Sequence, residues 1–152
     1  MKTLTRRQIL RSATLIAPAL AASSNLFAQN QFTLDGVMHP YRQEWLPDGV
    51  RSRFVNNVNG LRVHVLEAGF ETPNRPALLL LHGFPELAYS WRNVMKPLAS
   101  AGYHVLAPDV RGYGRTTGWD SNYDGDLTPF RSLNKVRDAL GLLYAFGYDS
   151  VA

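Results

Sequence analysis

The sequence predicts an α/β fold built on a mostly parallel sheet, and three observations carry that prediction. An unbroken apolar run at 77–81 is typical of a strand buried on both faces, and it leads into a polar corner, His-Gly-Phe-Pro-Glu at 82–86. A second short apolar run at 103–107 ends at Pro108-Asp109. Helical periodicity follows each run, as in an α/β sheet. We therefore expect the polar corner at the carboxyl ends of the strands, where such sheets bind ligands.

A β-hairpin is predicted over 51–69, before the buried strand. Asn-Gly at 59–60 stands between two strand-like runs, and both of these turn residues tolerate the positive φ that a tight hairpin requires. The second run, 61–67, alternates apolar and polar residues. Its apolar residues, Leu61 among them, are predicted to face the core, while Arg62 and His64 are predicted to face solvent on an edge strand. We expect no catalytic role for this histidine.

Two helices are predicted in the rest of the chain. Apolar residues spaced by three and four predict the first helix over 89–100, with a kink or an early end at Pro97 and a C-terminal glycine, Gly102. The second helix is predicted to stop at Gly147, and residues 150–152 to begin a further strand. The predicted apolar stripe of the second helix is Leu133, Val136, Leu140 and Leu143, with Arg131, Lys135 and Asp138 outside.

The loop at 109–116 is rich in glycine, but it does not predict a phosphate site. It lacks Gly-Lys-[Ser/Thr], and its glycines do not match Gly-x-Gly-x-x-Gly. We expect a tight turn in which Asp109 pairs with Arg111. His104 is interpreted as structural, and His39 as a surface histidine.

Charge and composition exclude several classes of protein. The 16 Lys and Arg residues exceed the 12 Asp and Glu residues by four, and four basic residues lie in 1–28, which has no acidic residue. The rest of the chain is neutral, so a nucleic-acid partner is not predicted. Cysteine is absent, which excludes disulfides and thiolate metal sites, and the four histidines show no close ligand spacing. We predict neither a metal nor a cofactor.

Residues 1–28 are predicted to be a twin-arginine signal peptide. Arg6-Arg7 lies in Thr-Arg-Arg-Gln-Ile-Leu at 5–10, a weakly apolar stretch follows at 13–22, and Leu-Phe-Ala at 26–28 is suited to cleavage. The apolar stretch is too short to span a bilayer, which needs roughly 20 residues. We therefore expect a protein exported to the periplasm or secreted, with the twin-arginine export machinery as a partner and no stable membrane anchor.

The domain organisation predicted from these features has three parts. The signal peptide is followed by a connecting segment, 29–50, rich in turn dipeptides, and then by a domain at 51–152.

Three segments together resemble a known family. They are His-Gly-Phe-Pro-Glu at 82–86, Tyr-Ser-Trp-Arg at 89–92 and Pro-Asp-Val-Arg-Gly-Tyr-Gly-Arg-Thr at 108–116. From about residue 45 to 152 the chain resembles the N-terminal half of α/β-hydrolase-fold enzymes, most closely epoxide hydrolases. The resemblance implies an incomplete α/β-hydrolase sheet: a hairpin, a buried strand, a helix, a strand, a helix and the start of the next strand.

The resemblance leaves alternatives open. His-Gly-Phe-Pro alone is shared with serine-nucleophile relatives, such as cofactor-free haloperoxidases and perhydrolases, and with fluoroacetate dehalogenases. An esterase or perhydrolase, or a fluoroacetate-dehalogenase-like enzyme, is therefore a second hypothesis. Haloalkane dehalogenases commonly carry asparagine where this chain has Phe84, so halide binding of that type is not expected.

The resemblance also implies a division of labour. In epoxide hydrolases an aspartate at a Gly-x-Asp-x-Gly elbow forms an ester with the substrate, and a histidine oriented by an acid activates the hydrolytic water. Two backbone N–H groups stabilise the resulting oxyanion, and one would be that of Phe84. Gly83 lets the chain turn, Pro85 fixes the geometry after Phe84, in this family typically through a cis bond, and His82 makes a structural hydrogen bond.

The nucleophile, acid and base of that mechanism are absent from this sequence, which contains no Gly-x-[Ser/Asp]-x-Gly. We expect a truncated piece of an exported, epoxide-hydrolase-like enzyme. The complete enzyme would take a small apolar epoxide, and the 152-residue piece is expected to be inactive alone. The alternative is a short, non-catalytic protein that binds through its half-sheet. The truncated enzyme is favoured, because the sequence ends inside a predicted core strand. Such an end would leave a sheet edge unpaired and apolar surface uncovered, which invites aggregation.

Overall fold

The computed structural model describes residues 38–151. The chain divides into Met1–His39 and Pro40–Ala152, and the architecture below is that of the second unit. The signal peptide and its Arg6-Arg7 pair lie outside the described residues, as does most of the connecting segment.

The described residues form one mixed sheet with two α-helices. The strands are β1 Val50–Val58, β2 Leu61–Ala68, β3 Ala77–Leu79 and β4 His104–Pro108, and the helices are α1 Arg92–Ser100 and α2 Ser132–Ala145. Short 3-10 helices cover Gln43–Trp45, Ala88–Trp91 and Thr128–Phe130. The strand order is β1-β2-β4-β3, with β1 and β4 antiparallel to β2 and with β3 parallel to β4. The predicted sequence of elements is confirmed up to α2.

The hairpin prediction is confirmed. Asn59 and Gly60 have φ of 50° and 78°, the left-handed conformations that a tight two-residue turn requires at both positions. Strands β1 and β2 pair in antiparallel register from Val50 opposite Ala68 to Val58 opposite Leu61.

Both faces of the sheet are covered, because alternate residues of β2 and β4 enter two separate hydrophobic clusters. The cluster with α1 contains Leu46, Val50, Leu66, Ala68, Ala88, Met95, Val105 and Ala107. The cluster with α2 contains Val58, Leu61, Val63, Val65, Leu106, Leu142 and Leu143. Successive strand residues point to opposite faces, so apolar residues at consecutive positions of β4 fill both layers.

The prediction that His64 faces solvent is wrong. Its side chain is completely buried, and β2 lies between β1 and β4 rather than at an edge. The rings of Tyr41 and Phe54 lie 5.3 Å and 5.5 Å from the His64 ring and cover it. Alternation showed which residues share a face, but it could not show that the polar face is also covered.

Three further expectations need correction. Strand β3 ends at Leu79, and Leu81 is 49% exposed, so the apolar run at 77–81 is not buried on both faces by the described residues. In the predicted stripe of α2, Leu143 is buried, whereas Leu133, Val136 and Leu140 are 71%, 53% and 45% exposed. Residues 150–151 carry no strand.

Helix α1 begins at Arg92, after the 3-10 turn, continues for three residues past Pro97 and ends two residues before Gly102. Among the described residues no helix is long and apolar enough to cross a bilayer.

Candidate active site

A cavity of about 410 Å³ lies beyond the carboxyl ends of β3 and β4. The segments that follow these two strands form one side of it, through Leu81 and Phe84 after β3 and through Asp109 after β4. Val136 and Leu140 of α2 contribute from the other side. This is the edge at which open α/β sheets bind their ligands. Two of the three exposed residues of the α2 stripe, Val136 and Leu140, therefore belong to the cavity wall.

The polar corner forms a compact loop at 82–88. The Phe84–Pro85 peptide bond is cis, and the Glu86 N–H donates to the Gly83 carbonyl at 2.9 Å. The Phe84 side chain is 85% exposed. Its backbone N–H donates to no described residue, although the residue lines the cavity. A backbone donor without an internal partner is available to a bound ligand.

His82 is held by both of its ring nitrogens. The Val110 N–H donates to Nε2 at 3.0 Å, and because Nε2 accepts, Nδ1 carries the proton and donates to the Gly83 carbonyl at 3.0 Å. The His82 ring also meets Tyr113 edge to face, with centroids 5.4 Å apart. These contacts are structural hydrogen bonds, and they leave neither nitrogen free to act as a base.

The prediction that Gly83 is needed for a sharp turn of the backbone has no support in the structure. Gly83 is not among the glycines with positive φ, and an added Cβ would meet no atom within 4 Å.

The Asp109 carboxylate has three hydrogen-bond contacts. Its Oδ1 accepts from the Ala88 N–H at 2.8 Å, and its Oδ2 accepts from the Arg115 N–H at 3.0 Å and faces His64 Nδ1 at 2.7 Å. The side chain is fully buried. Burial alone would raise the pKa of Asp109, but the hydrogen bond and charge of His64 and the two backbone donors outweigh it and lower the pKa.

The predicted pairing of Asp109 with Arg111 is wrong. Arg111 instead forms a two-bond ion pair with Asp138 of α2, from Nε at 2.8 Å and from Nη2 at 2.7 Å. Asn59 of the hairpin turn donates to the same carboxylate at 2.7 Å. Asp138 was expected on the outer face of α2 and is in fact buried. A helical pattern assigns every charged residue to the solvent face. It therefore misplaces a residue such as Asp138, which is buried in an ion pair.

Ser52, His64 and Asp109 form a chain in the order of a nucleophilic triad. Ser52 Oγ lies 2.7 Å from His64 Nε2, and His64 Nδ1 lies 2.7 Å from Asp109. However, Ser52 does not line the cavity, and its Oγ already accepts from the Tyr41 N–H at 2.8 Å. We interpret the chain as a buried structural network rather than a second catalytic centre. In the sequence, a histidine in the middle of one predicted strand and an aspartate at the end of another could have indicated this network.

A second polar network lies around Glu67. Its carboxylate accepts two hydrogen bonds from Arg51, at 2.8 Å and 3.0 Å, and lies 2.8 Å from His104 Nε2. His104 Nδ1 lies 2.6 Å from the Tyr148 hydroxyl. His104 is thus engaged at both nitrogens and does not line the cavity, in agreement with a structural role. Within 38–151 no group of three histidine or acidic side chains is arranged to hold a metal ion.

Comparisons with known proteins bear on the same part of the chain. Residues 76–149 match the family model of the alpha/beta hydrolase fold. The chain is 62% identical over 58 residues to Epoxide hydrolase A of Mycobacterium tuberculosis, which covers 38% of this chain and 17% of that protein. It is 56% identical over 99 residues to the AB hydrolase superfamily protein YfhM of Bacillus subtilis, which covers 65% of this chain and 32% of that protein.

A solved structure gives the same result in three dimensions. Epoxide Hydrolase A from Mycobacterium thermoresistibile superposes with a TM-score of 0.58 at 39% identity, covering 68% of this chain and 30% of that chain. The chain therefore spans less than a third of the length of the relatives that it matches, 17%, 32% and 30% in these three cases.

Proposed function

Since residues 38–151 have the α/β-hydrolase fold with a partial mixed sheet, we propose that the chain supplies the oxyanion-binding part of an epoxide hydrolase active site. The observation that carries the proposal is that Phe84 lines the cavity and that its backbone N–H has no partner among the described residues. The epoxide hydrolases among the similar proteins support the choice of reaction.

The proposed reaction proceeds through a covalent ester. An aspartate outside these 152 residues attacks an epoxide carbon, and the ring C–O bond breaks. Water activated by a histidine, also outside the chain, then attacks the ester carbonyl. The Phe84 N–H donates to the oxygen that becomes negative in that second step. A single aimed donor of this kind stabilises the transition state by about 2.7–4 kcal/mol.

The substrate proposed for the complete enzyme is a small apolar epoxide. Apolar side chains dominate the described cavity wall, among them Leu81, Val136 and Leu140. Such a surface stabilises an apolar substrate and excludes water from the reacting oxygen. Arg111 of the wall is engaged by Asp138 in an ion pair.

We also propose that the protein is exported by the twin-arginine route. The support is in the sequence: Arg6-Arg7 is followed by a short, weakly apolar stretch and a small-residue cleavage site. The apolar stretch of a signal peptide differs from a membrane anchor in being much shorter than a bilayer is thick.

A chimera tests the function of the oxyanion loop. The matching segment of this chain would replace its counterpart in Epoxide Hydrolase A from Mycobacterium thermoresistibile. We expect the chimera to convert styrene oxide to its diol, with or without a metal chelator. Phe84→Pro removes the backbone N–H and should lower kcat by about 10²–10³-fold. Phe84→Ala keeps that N–H and serves as the matched control, which should retain most of the activity.

Two outcomes would count against the proposal. Equal activity of the Phe84→Pro and Phe84→Ala chimeras would remove the oxyanion role. Turnover by the pure 152-residue chain would contradict the requirement for residues outside it.

The nucleophile can be tested separately by reading the gene beyond codon 152. We expect a Gly-x-Asp-x-Gly elbow. A Gly-x-Ser-x-Gly elbow would support a serine enzyme acting on esters, and the absence of any elbow in all frames would favour a short binding protein.

A further inference from the structure

Two consecutive residues of the loop after β4 hold the two ends of the oxyanion loop. The Val110 N–H donates to His82 Nε2 at 3.0 Å, at the start of the loop. The Asp109 Oδ1 accepts from the Ala88 N–H at 2.8 Å, at its end. We name this pair of contacts the loop clamp. Asp109 and Val110 are adjacent in the chain, so both ends of the loop are held from neighbouring points of one segment.

The clamp is itself fixed to the sheet. The Asp109 N–H donates to the His64 carbonyl at 3.0 Å, and the Asp109 carbonyl accepts from Thr116 Oγ1 at 2.6 Å. The carboxylate is completed by His64 Nδ1 and the Arg115 N–H. Asp109 therefore has every polar atom engaged and is fully buried, which leaves its side chain no freedom to move away from Ala88.

The loop between its two ends has little internal support. One backbone hydrogen bond among the described residues, from Glu86 to Gly83, closes its turn, and Phe84 is mostly exposed. The direction of the Phe84 N–H is thus set by where the two ends are held rather than by packing within the loop. A displacement of about 1 Å at a reacting group can cost 10²-fold in rate.

We infer that Asp109 is a positioning residue for the Phe84 N–H, acting through Ala88, and that His82 is its counterpart at the other end. This inference rests on the proposed oxyanion role of Phe84. Asp109 touches neither substrate nor nucleophile in this role, since both of its carboxylate oxygens are occupied by donors of the chain. His64 holds the Asp109 carboxylate in place, and Ser52 in turn lies within hydrogen-bond distance of His64.

Asp109→Asn tests the inference, and Asp138→Asn is its matched control. Both aspartates are buried and hydrogen-bonded, and Asp138 bonds Arg111 in the loop after β4 but forms no hydrogen bond with residues 82–88. In the 152-residue chain we expect Asp109→Asn to raise amide hydrogen exchange in 83–88 about tenfold. Asp138→Asn should raise exchange mainly in α2 and leave 83–88 unchanged.

Kinetics of the chimera supply a second readout, which loss of stability alone would not move. With Asp109→Asn, kcat should fall about 10–100-fold while kcat/KM changes little, and the ester intermediate should accumulate, because only the second step uses the oxyanion donor. His82→Phe removes the acceptor at the other end and should produce the same split, which provides a test if Asp109→Asn does not fold.

The outcomes separate the two proposals. If the unmodified chimera does not hydrolyse epoxides, the proposed function fails, and exchange in the 152-residue chain still decides whether the clamp holds the loop. If Asp109→Asn and Asp138→Asn affect 83–88 equally, or if kcat falls without accumulation of the ester intermediate, the positioning role is overturned.

Discussion

His64 Nδ1 lies 2.7 Å from the Asp109 carboxylate, and neither side chain is exposed to solvent. The contact joins the middle of β2 to the first residue after β4, on the face of the sheet that the sequence pattern assigned to water. A buried polar pair is weak evidence for stability, but removing one partner leaves the other uncompensated. The first prediction follows from that asymmetry.

His64→Leu should destabilise the fold by about 3 kcal/mol, because it removes a donor from a buried carboxylate. Ser52→Ala removes only the far end of the same chain and should cost about 1 kcal/mol. Urea unfolding followed by tryptophan fluorescence measures both free energies of unfolding. Equal losses in the two variants would mean that the His64–Asp109 contact carries no special weight.

The acid stability of the fold should depend on Glu67. Burial would raise its pKa, but hydrogen bonds from His104 and Arg51 and the charge of Arg53 lower it from 4.5 to about 2. A depressed folded-state pKa contributes stability that is present above the unfolded pKa and lost as pH falls through the folded one.

Glu67→Gln should therefore be less stable than the unmodified chain by about 3 kcal/mol at pH 7. The difference in free energy of unfolding between the two proteins should narrow as pH falls from about 4.5 to about 2. Urea unfolding at several pH values measures this difference. A difference that stays constant over this range would exclude Glu67 as the titrating group.

The ion pair between Arg111 and Asp138 gives a third prediction. Arg111→Met leaves Asp138 buried with only Asn59 as a donor, and should cost about 3–5 kcal/mol. Adding Asp138→Leu to that variant removes the stranded charge and should recover a substantial part of the loss. The test is a double-mutant cycle of unfolding free energies, and additive effects would argue against coupling.

Gly114 should tolerate no side chain. It has φ of 52°, and an added Cβ would overlap the Asp109 carboxylate. Gly147 has φ of 81° but open space around it, so it isolates the effect of the backbone. Gly147→Ala should cost about 1–2 kcal/mol from the left-handed conformation alone, and Gly114→Ala clearly more. Comparable thermal unfolding of the two variants would show that the loop adjusts around Asp109.

Export should depend on the arginine pair, which lies outside the described residues. Changing both Arg6 and Arg7 to Lys in a fusion to a periplasmic reporter should abolish the reporter signal, because the twin-arginine machinery reads the pair as an address. A reporter with Lys2 and Arg11 changed to other basic residues provides the control. Unchanged export of the Arg6/Arg7 variant would remove the basis for the proposed route.

The sequence predicted the fold well wherever one or two residues determine the local backbone conformation. Asn59-Gly60 dictates the hairpin turn, and the helices end close to Gly102 and before Gly147, as expected. The apolar run at β4 gave a strand in which every residue is buried. These elements depend on short-range signals that are complete within a few residues.

The polar contacts of the site could not be predicted, because they join residues far apart in sequence. His64 and Asp109 are 45 residues apart, and Asn59 and Asp138 are 79 apart. A periodic pattern identifies residues that share a face but contains no information about what covers it. The predicted pairing of Asp109 with Arg111 was wrong for the same reason. The prediction paired two residues close in sequence, whereas the partner of Asp109 is the distant His64.

The loop clamp has a consequence for changing the length of this protein's loops. Asp109 and Val110 form hydrogen bonds with the two ends of 82–88, and the Arg115 N–H and the Thr116 hydroxyl donate to Asp109. An insertion anywhere between 109 and 116 would pull one attachment away from the others. The exposed stretch at 119–127 forms none of these contacts, so a tag or a grafted peptide belongs there rather than a few residues earlier.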